Sequence, residues 1–437
     1  MHREKLEELK KWKQSADRKP LIVHGARQVG KTWLVKELGK TSYEKTARID
    51  FLNNARMKTL FEQDLNTERI LQGLKAESGV DITPGNTLIF LDEIQAVPAA
   101  LTALKYFYED MPQYHIVVAG SLLGITANQG SSFPVGKVDF LNLYPLSFRE
   151  FLVALGEEQL ARLFDSEDLG IVGTFREKFI DLLKVYYYVG GMPEAVKKYV
   201  ETKSWQEVRK VQRNILRAYD SDFGKHAPAN VVPRIRQVWQ NIPAQLAKEN
   251  KKYVYGLIRE GARAKEFEMA LAWLEDAGLI YRVARAESPK IPLRAYENLE
   301  AFKVYLVDVG LLAAMTDLSA QSLLKGSALL VEFKGAFTEQ YVLGELKSGQ
   351  DGSVAYWSRD EGSAAEVDFL IQRDEQIVPI EVKAEENLNS KSLKVYREKY
   401  QPKYAVRTSM SDYRRDDWLT NIPLYMIGGI DEILSKP

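Results

Sequence analysis

The string GARQVGKT at residues 25–32 constrains this chain more than any other feature. It fits G-x-x-x-x-G-K-[ST], which reads as a phosphate loop when a strand precedes it and a helix follows, and otherwise as a Gly-rich turn with a surface lysine. Both neighbours are present: Pro20 followed by the apolar run Leu21-Ile22-Val23, then the helix-forming run WLVKEL. Gly25 and Gly30 allow a tight turn whose N–H groups point inward at phosphate oxygens, with Ala26, Arg27, Gln28 and Val29 forming the loop between them. Lys31 supplies a point charge for β and γ phosphates and Thr32 a hydroxyl for Mg²⁺. The following helix adds its positive N-terminal end.

Such a loop needs a carboxylate partner for the metal, expected at the end of a neighbouring strand. The string NTLIFLDEIQAV supplies it about 60 residues later. Leu88-Ile89-Phe90-Leu91 reads as a buried strand ending in Asp92, which would hold Mg²⁺ through its water shell. Glu93 is placed to polarise an attacking water. A third strand, His115 to Gly120, ends at Ser121, where a polar residue can sense a terminal phosphate or simply close a strand.

Length and composition bound the rest. At 437 residues, 45% hydrophobic and 27% charged, the chain is of globular type and long enough for about three domains. It has no cysteine, which excludes disulfides, thiol catalysis and cysteine-bound zinc, and only four histidines. MHREKLEELKKWKQ is a charged helical opening, and no apolar run approaches the ~20 residues of a membrane span. The expectation is a cytoplasmic protein with no membrane partner. Sixty basic residues balance sixty acidic ones, but unevenly: residues 1–200 sum to 0, 201–330 to +5 and 331–437 to −5. Only the middle region suits a phosphate backbone electrostatically, and ordinary variation accounts for that excess equally well.

The middle region is helical from LYPLSFREF onward and is broken at Gly190-Gly191-Met192-Pro193. Arg149, Arg213 and Arg217 are candidates for an arginine that senses or stabilises the γ-phosphate, and no spacing singles one out. Over 253–309 the pattern is helix, helix, hairpin, with Phe267, Ala270, Leu271 and Leu274 at helical spacing. This is a winged-helix layout carrying Arg259, Arg263, Lys265, Arg282 and Arg285, suited to DNA or to protein packing.

After residue 330, Glu339 lies on a helix, Asp368 on a strand, and Glu381-Val-Lys383 thirteen residues beyond on the next strand. Residues two apart on a strand share a face. Asp368 on the adjacent strand can meet Glu381, and these two carboxylates with a backbone carbonyl would hold Mg²⁺, Glu339 completing the ring from the helix and Lys383 orienting water or offsetting developing charge. The same strings also suit a plain sheet with a surface ion pair. Their order resembles the restriction-endonuclease-like PD-(D/E)xK fold.

GARQVGKT, LIFLDEIQ and VAGSLLG resemble the AAA+ type of P-loop ATPase, except that Ser121 stands where such proteins often carry Asn. With LYPLSFREF and YYYVGGMPEAV, the chain resembles a widespread prokaryotic AAA ATPase family with a C-terminal domain of unknown function. The resemblance implies an α/β protein in four parts: a P-loop AAA ATPase core with a parallel sheet at 1–150, a helical lid at 151–230, a winged-helix-like domain at 231–325 and a restriction-endonuclease-like α/β domain at 326–437. It implies ATP and Mg²⁺ as ligands and ATP hydrolysis as the activity. Three roles remain open in the residues: action on DNA, a nucleotide-dependent switch that binds a protein partner through an inactive nuclease-like domain, and self-association.

Overall fold

The computed structural model describes residues 2–120, 134–248, 252–324, 331–349, 352–359, 365–386 and 389–435. Ser121 lies outside them. The chain divides into two compact units, one of His2–Tyr144 with Asp276–Leu279, the other of Pro145–Glu275 with Ile280–Pro437.

The first unit is a parallel sheet covered by helices. Its strands are β1 (Leu21–His24), β2 (Lys45–Asp50), β3 (Thr87–Asp92), β4 (His115–Ala119) and β5 (Asp139–Asn142), in the order β2-β3-β4-β1-β5. All four neighbouring pairs are parallel. Every residue of β3 and β4 is buried, as expected of strands covered on both faces. Ile22, Ile49, Ile89, Leu91, Ile116 and Val118 from the sheet pack with helical Ile70, Leu74, Leu101 and Leu104 in one core. The helices include α1 (Lys5–Gln14), α2 (Lys31–Ser42), α3 (Ala55–Gln63), α4 (Thr67–Ser78) and α5 (Pro98–Asp110). The acid-bearing strand β3 is not adjacent to β1, as the sequence suggested: β4 lies between them. Strand order is set by crossovers, which local patterns do not reveal.

The second unit opens with helices: α6 (Phe148–Ala154), α7 (Arg176–Val189), α8 (Pro193–Thr202), α9 (Trp205–His226), α10 (Val232–Leu246) and α11 (Ala264–Asp276). The string LYPLSFREF is explained by a capping box. Ser147 accepts from the Glu150 amide while Glu150 accepts from the Ser147 amide, so both orphan donors are satisfied. Gly190 and Gly191 form a crowded corner. A side chain at Gly190 would collide with Asp308, and one at Gly191 would come within 2.2 Å of the Leu146 carbonyl. Asp308 accepts from the Gly191 amide at 2.6 Å and caps α12 (Val309–Met315) through the Leu311 amide at 2.8 Å.

One mixed sheet completes this unit. Strands β6 (Ile280–Ala286), β7 (Glu297–Leu306), β8 (Val354–Ser358), β9 (Glu366–Arg373), β10 (Gln376–Val382), β11 (Ala405–Ser409), β12 (Arg414–Arg415) and β13 (Leu419–Pro423) take the order β12-β13-β11-β10-β9-β8-β6-β7. Helices α13 (Val331–Gly349) and α14 (Lys391–Tyr400) accompany it. The β6–β7 hairpin, read from sequence as a wing, is continuous with the C-terminal strands through the pairing of Arg285 with Tyr356. The sheet therefore spans the boundary placed at residue 325. Among the described residues no helix is long and apolar enough to cross a membrane.

Candidate functional site

Residues 25–30 leave β1 and return into α2, and their backbone is unusual. Gly25 has φ 150°, Gln28 has φ 69° and Gly30, the residue before α2, has φ 99°. Gly25 has no room for a side chain, since a Cβ would lie 2.1 Å from the Leu143 carbonyl oxygen. Val29 and Ala26 are buried and pin the loop to the core. Arg3 ties it down from outside, donating to the Val29 carbonyl at 3.0 Å and the Tyr144 carbonyl at 2.6 Å. Gly278, in the short 276–279 segment of this unit, lies against Ala26. The sequence reading missed both of these supports, because neither Arg3 nor Gly278 stands near the motif.

Lys31 is buried, and its ammonium donates to the carbonyls of Gly25 and Ala26, both at 2.8 Å. Burial pulls its pKa down to about 8, while Glu93 and Asp92 act to raise it and Arg27 to lower it. The Lys31 ammonium is held at the loop by carbonyls that a phosphate would replace. Thr32, in the first turn of α2, donates to Asp92 Oδ1 at 3.2 Å. The other oxygen of buried Asp92 accepts from Arg48 on β2, at 2.8 Å from Nη2 and 3.2 Å from Nε. Glu93 takes φ 55° at the end of β3, and Gln95 donates to its Oε2 at 2.5 Å. Glu93 is thus turned out of the strand direction just where β3 ends.

These residues fit Mg²⁺. A hydroxyl and a carboxylate oxygen already lie within hydrogen-bonding distance, and both are hard donors. Among the described residues no three His, Asp or Glu side chains converge as a metal cage. That is the expected pattern when a metal takes one or two protein oxygens and completes its shell from phosphates and water.

The C-terminal acids are arranged differently. Glu339 accepts from the Tyr305 hydroxyl at 2.9 Å, and Asp368 accepts from the Val382 amide at 2.7 Å. Between them in chemistry stands Lys303, on β7, with no solvent exposure and its ammonium 2.5 Å from Glu366 Oε1. Burial would lower this lysine's pKa, but Glu339, Glu366 and Asp368 together hold it above its ordinary value. Asp368 is pushed up to about 7 by burial and by Glu339, against the pull of Lys303. Glu381 and Lys383 share a face and pair at 2.7 Å, with buried Arg407 also near Glu381. The residues expected to ring a metal thus have protein ammonium groups as their cations, Lys303 beside Glu339 and Asp368 and Lys383 beside Glu381. They do not fit a resident Mg²⁺. Lys303 was missed in sequence, although a lone cation inside the apolar run AFKVYL was its signal.

The winged-helix basic residues are largely neutralised. Arg259 pairs with Glu266, Arg282 with Glu275 at 2.6 Å and Glu268 at 3.2 Å, and Arg285 with Glu287 at 3.5 Å. Arg263 and Lys265 are at the surface. Arg149 pairs with Asp165, and Arg213 and Arg217 lie on α9.

Comparison with known proteins divides the chain in three. Residues 17–152 match the AAA domain family, residues 180–322 a domain of unknown function (DUF8612), and residues 334–427 another (DUF4143). No functionally curated protein matches the chain. Similar solved structures include the Walker-type ATPase PABY2304 of Pyrococcus abyssi, 15% identical with TM-score 0.46, covering 72% of this chain and 95% of that one. The ORC1 protein of Aeropyrum pernix, solved in complex with DNA, is 11% identical with TM-score 0.32, covering 73% and 93%. A point variant of RuvB from Thermotoga maritima is 14% identical with TM-score 0.30, covering 63% and 88%. All three scores lie below 0.5, so the assignment rests on the family match together with the parallel sheet and its loop. Residues 17–152 thus match the AAA domain family and carry a parallel sheet with a P-loop-type turn.

Proposed function

We propose that the first unit binds ATP with Mg²⁺ and hydrolyses it. The observation that carries this is the meeting of Thr32 with Asp92 at 3.2 Å beside the Gly25–Gly30 loop, with Lys31 and Glu93 at the same place. The loop amides and Lys31 would hold the phosphates, and Thr32 and Asp92 the metal. Bound Mg²⁺ would supply charge neutralisation on the phosphate oxygens. Glu93, freed from Gln95, would accept a hydrogen bond from the attacking water and orient it. Ser121 lies outside the described residues, and its sensing role stays an expectation from the sequence. Nucleotide turnover assayed in wild type and in Lys31→Ala tests the proposal: loss of binding or turnover supports it, and unchanged kinetics reject it.

For the second unit, the reading best supported is a nuclease-like fold that holds but does not cut. Fully buried Lys303 among Glu339, Glu366 and Asp368 favours it, because a metal would have to enter beside an ammonium that has no exposed surface. The ATPase would then act as a nucleotide-dependent switch for a bound partner, cytoplasmic in setting. Incubating the protein with double- and single-stranded DNA and Mg²⁺ tests this: intact DNA is expected, and cleavage that Lys383→Ala or Glu381→Gln abolishes would reverse it.

A further inference from the structure

A cavity of about 550 Å³ lies in the second unit against α9, and none of the Gly25–Thr32 loop, Asp92 or Glu93 lines it. Arg209, Lys210, Arg213 and Arg217 of α9 line it, together with Tyr188 of α7 and Trp205, which opens α9. No carboxylate lines it among the described residues. The acid nearest in the contacts is Asp317, which pairs with Arg213 at 2.9 Å and is itself well exposed. Three or more positive charges therefore face one concave surface in the region that carries the chain's basic excess.

The placement is a consequence of helical periodicity. Positions 210, 213 and 217 recur on one face and span about 10 Å along the axis at ~1.5 Å per residue. Their side chains reach the surface. Arg209 is different. Only 8% of it is exposed. It lies over the Tyr188 ring at 4.4 Å and donates through Nη2 to the Leu318 carbonyl at 2.7 Å. Its Nη1 is buried with no hydrogen-bond partner. A buried guanidinium nitrogen without an acceptor is costly, and an acceptor from water or a bound ligand would relieve that cost. Tyr188 in turn donates to the Trp205 carbonyl at 3.3 Å and meets the Trp205 ring edge-on at 5.2 Å, so the aromatic pair and the arginine are fixed together.

We infer that this cavity is a second phosphate-binding site, which takes a nucleoside phosphate: Arg209, Lys210, Arg213 and Arg217 receive the phosphate oxygens and Trp205 offers a ring surface to the base. Guanidinium groups bind phosphate with two parallel donors, and aromatic rings accept bases of any sequence. The cavity has the volume of sites that hold ligands of nucleotide size. The same chemistry is met in a free nucleotide and in a nucleotide of a single strand. The inference goes beyond the ATPase reading and does not depend on it.

The test uses full-length Lys31→Ala protein, so that the P-loop does not contribute. Fluorescence anisotropy at low salt is measured with a labelled twelve-residue oligothymidylate and, separately, with a fluorescent ATP analogue. Binding of one or both probes is expected, weakened at least tenfold by the charge reversal Lys210→Glu with Arg217→Glu on the exposed face. For the oligonucleotide, the double variant should also flatten the dependence of log Kd on log salt by about 1.4, from ~0.7 per neutralised phosphate on a single strand. Loss for the ATP analogue alone assigns the site to nucleotides, and loss for the oligonucleotide alone assigns it to strands. Arg209→Gln, with folding checked by its melting curve, provides a second variant with the same expected direction. Failure of both probes to bind Lys31→Ala protein, or binding that survives both variants unchanged, overturns the inference.

Discussion

Asp92 and Asp368 are both buried strand carboxylates in the company of a basic side chain, and they differ in where that cation comes from. Asp92 is met by Arg48, whose side chain is 37% exposed and able to swing into water. Asp368 shares the field of Lys303, whose side chain is 0% exposed and enclosed by three acids and the ring of Tyr356 at 4.8 Å. An exposed guanidinium yields its place to a metal–nucleotide at small cost. A sealed ammonium does not, because moving it leaves either an unpaired lysine or unpaired carboxylates in the interior. The same residue type is thus poised for exchange in one unit and locked in the other. The mere presence of acids on strands says little about catalysis until their counter-ions are identified.

The largest expected effect is at the first site. Lys31→Ala should weaken ATP binding by about a hundredfold or more by equilibrium titration, since it removes a charged partner of the phosphates that the loop carbonyls now hold. Next comes the locked cation. Lys303→Met should destabilise the second unit by about 3–5 kcal/mol, the usual cost of stranding a buried charge. The melting temperature should then fall on the order of 10 °C. A variant as stable as wild type would mean that the acids are not balanced by Lys303.

A smaller effect follows from titration. Asp368 has a folded-state pKa raised to about 7, from burial and Glu339, so the folded state binds its proton more tightly than the unfolded chain does. Its stabilising contribution is complete below the ordinary carboxylate pKa near 4 and is lost as pH rises through about 7. Asp308, raised to about 6 by burial, acts in the same direction. Lys303 titrates far above this window and leaves it unchanged. The second unit should melt at a higher temperature at about pH 5 than at about pH 8, and Asp368→Asn should reduce the difference without abolishing it. The smallest effect is at Arg48: Arg48→Met should tighten Mg²⁺–nucleotide binding a few-fold, because Asp92 would no longer have to exchange an ion pair.

The two sites also differ in how far they could be read from sequence. The loop was legible because Gly25, Gly30, Lys31 and Thr32 work through adjacent backbone, so spacing carries geometry. Leu88–Leu91 was legible as a strand because every residue of it is buried. Its place two strands from β1 was not, because order depends on which helix crosses where. Glu339, Asp368, Glu381 and Lys383 were read in the right order on helix and strands. Their chemistry was hidden because the decisive residue comes from β7, 63 positions before its partner Glu366. The basic stripe on α9 was visible as scattered arginines. What set Arg209 apart, burial over Tyr188 with one nitrogen unpaired, belongs to packing.

On the proposed reading, Mg²⁺ would be held with nucleotide at Thr32 and Asp92 and excluded from the C-terminal acids. Titration of full-length protein with Mn²⁺ as a spectroscopic stand-in, with and without a non-hydrolysable ATP analogue, tests it directly. One tight Mn²⁺ per chain is expected, appearing only with nucleotide, vanishing in Asp92→Asn and persisting in Glu381→Gln. A tight ion that binds without nucleotide and is lost in Glu381→Gln would contradict it.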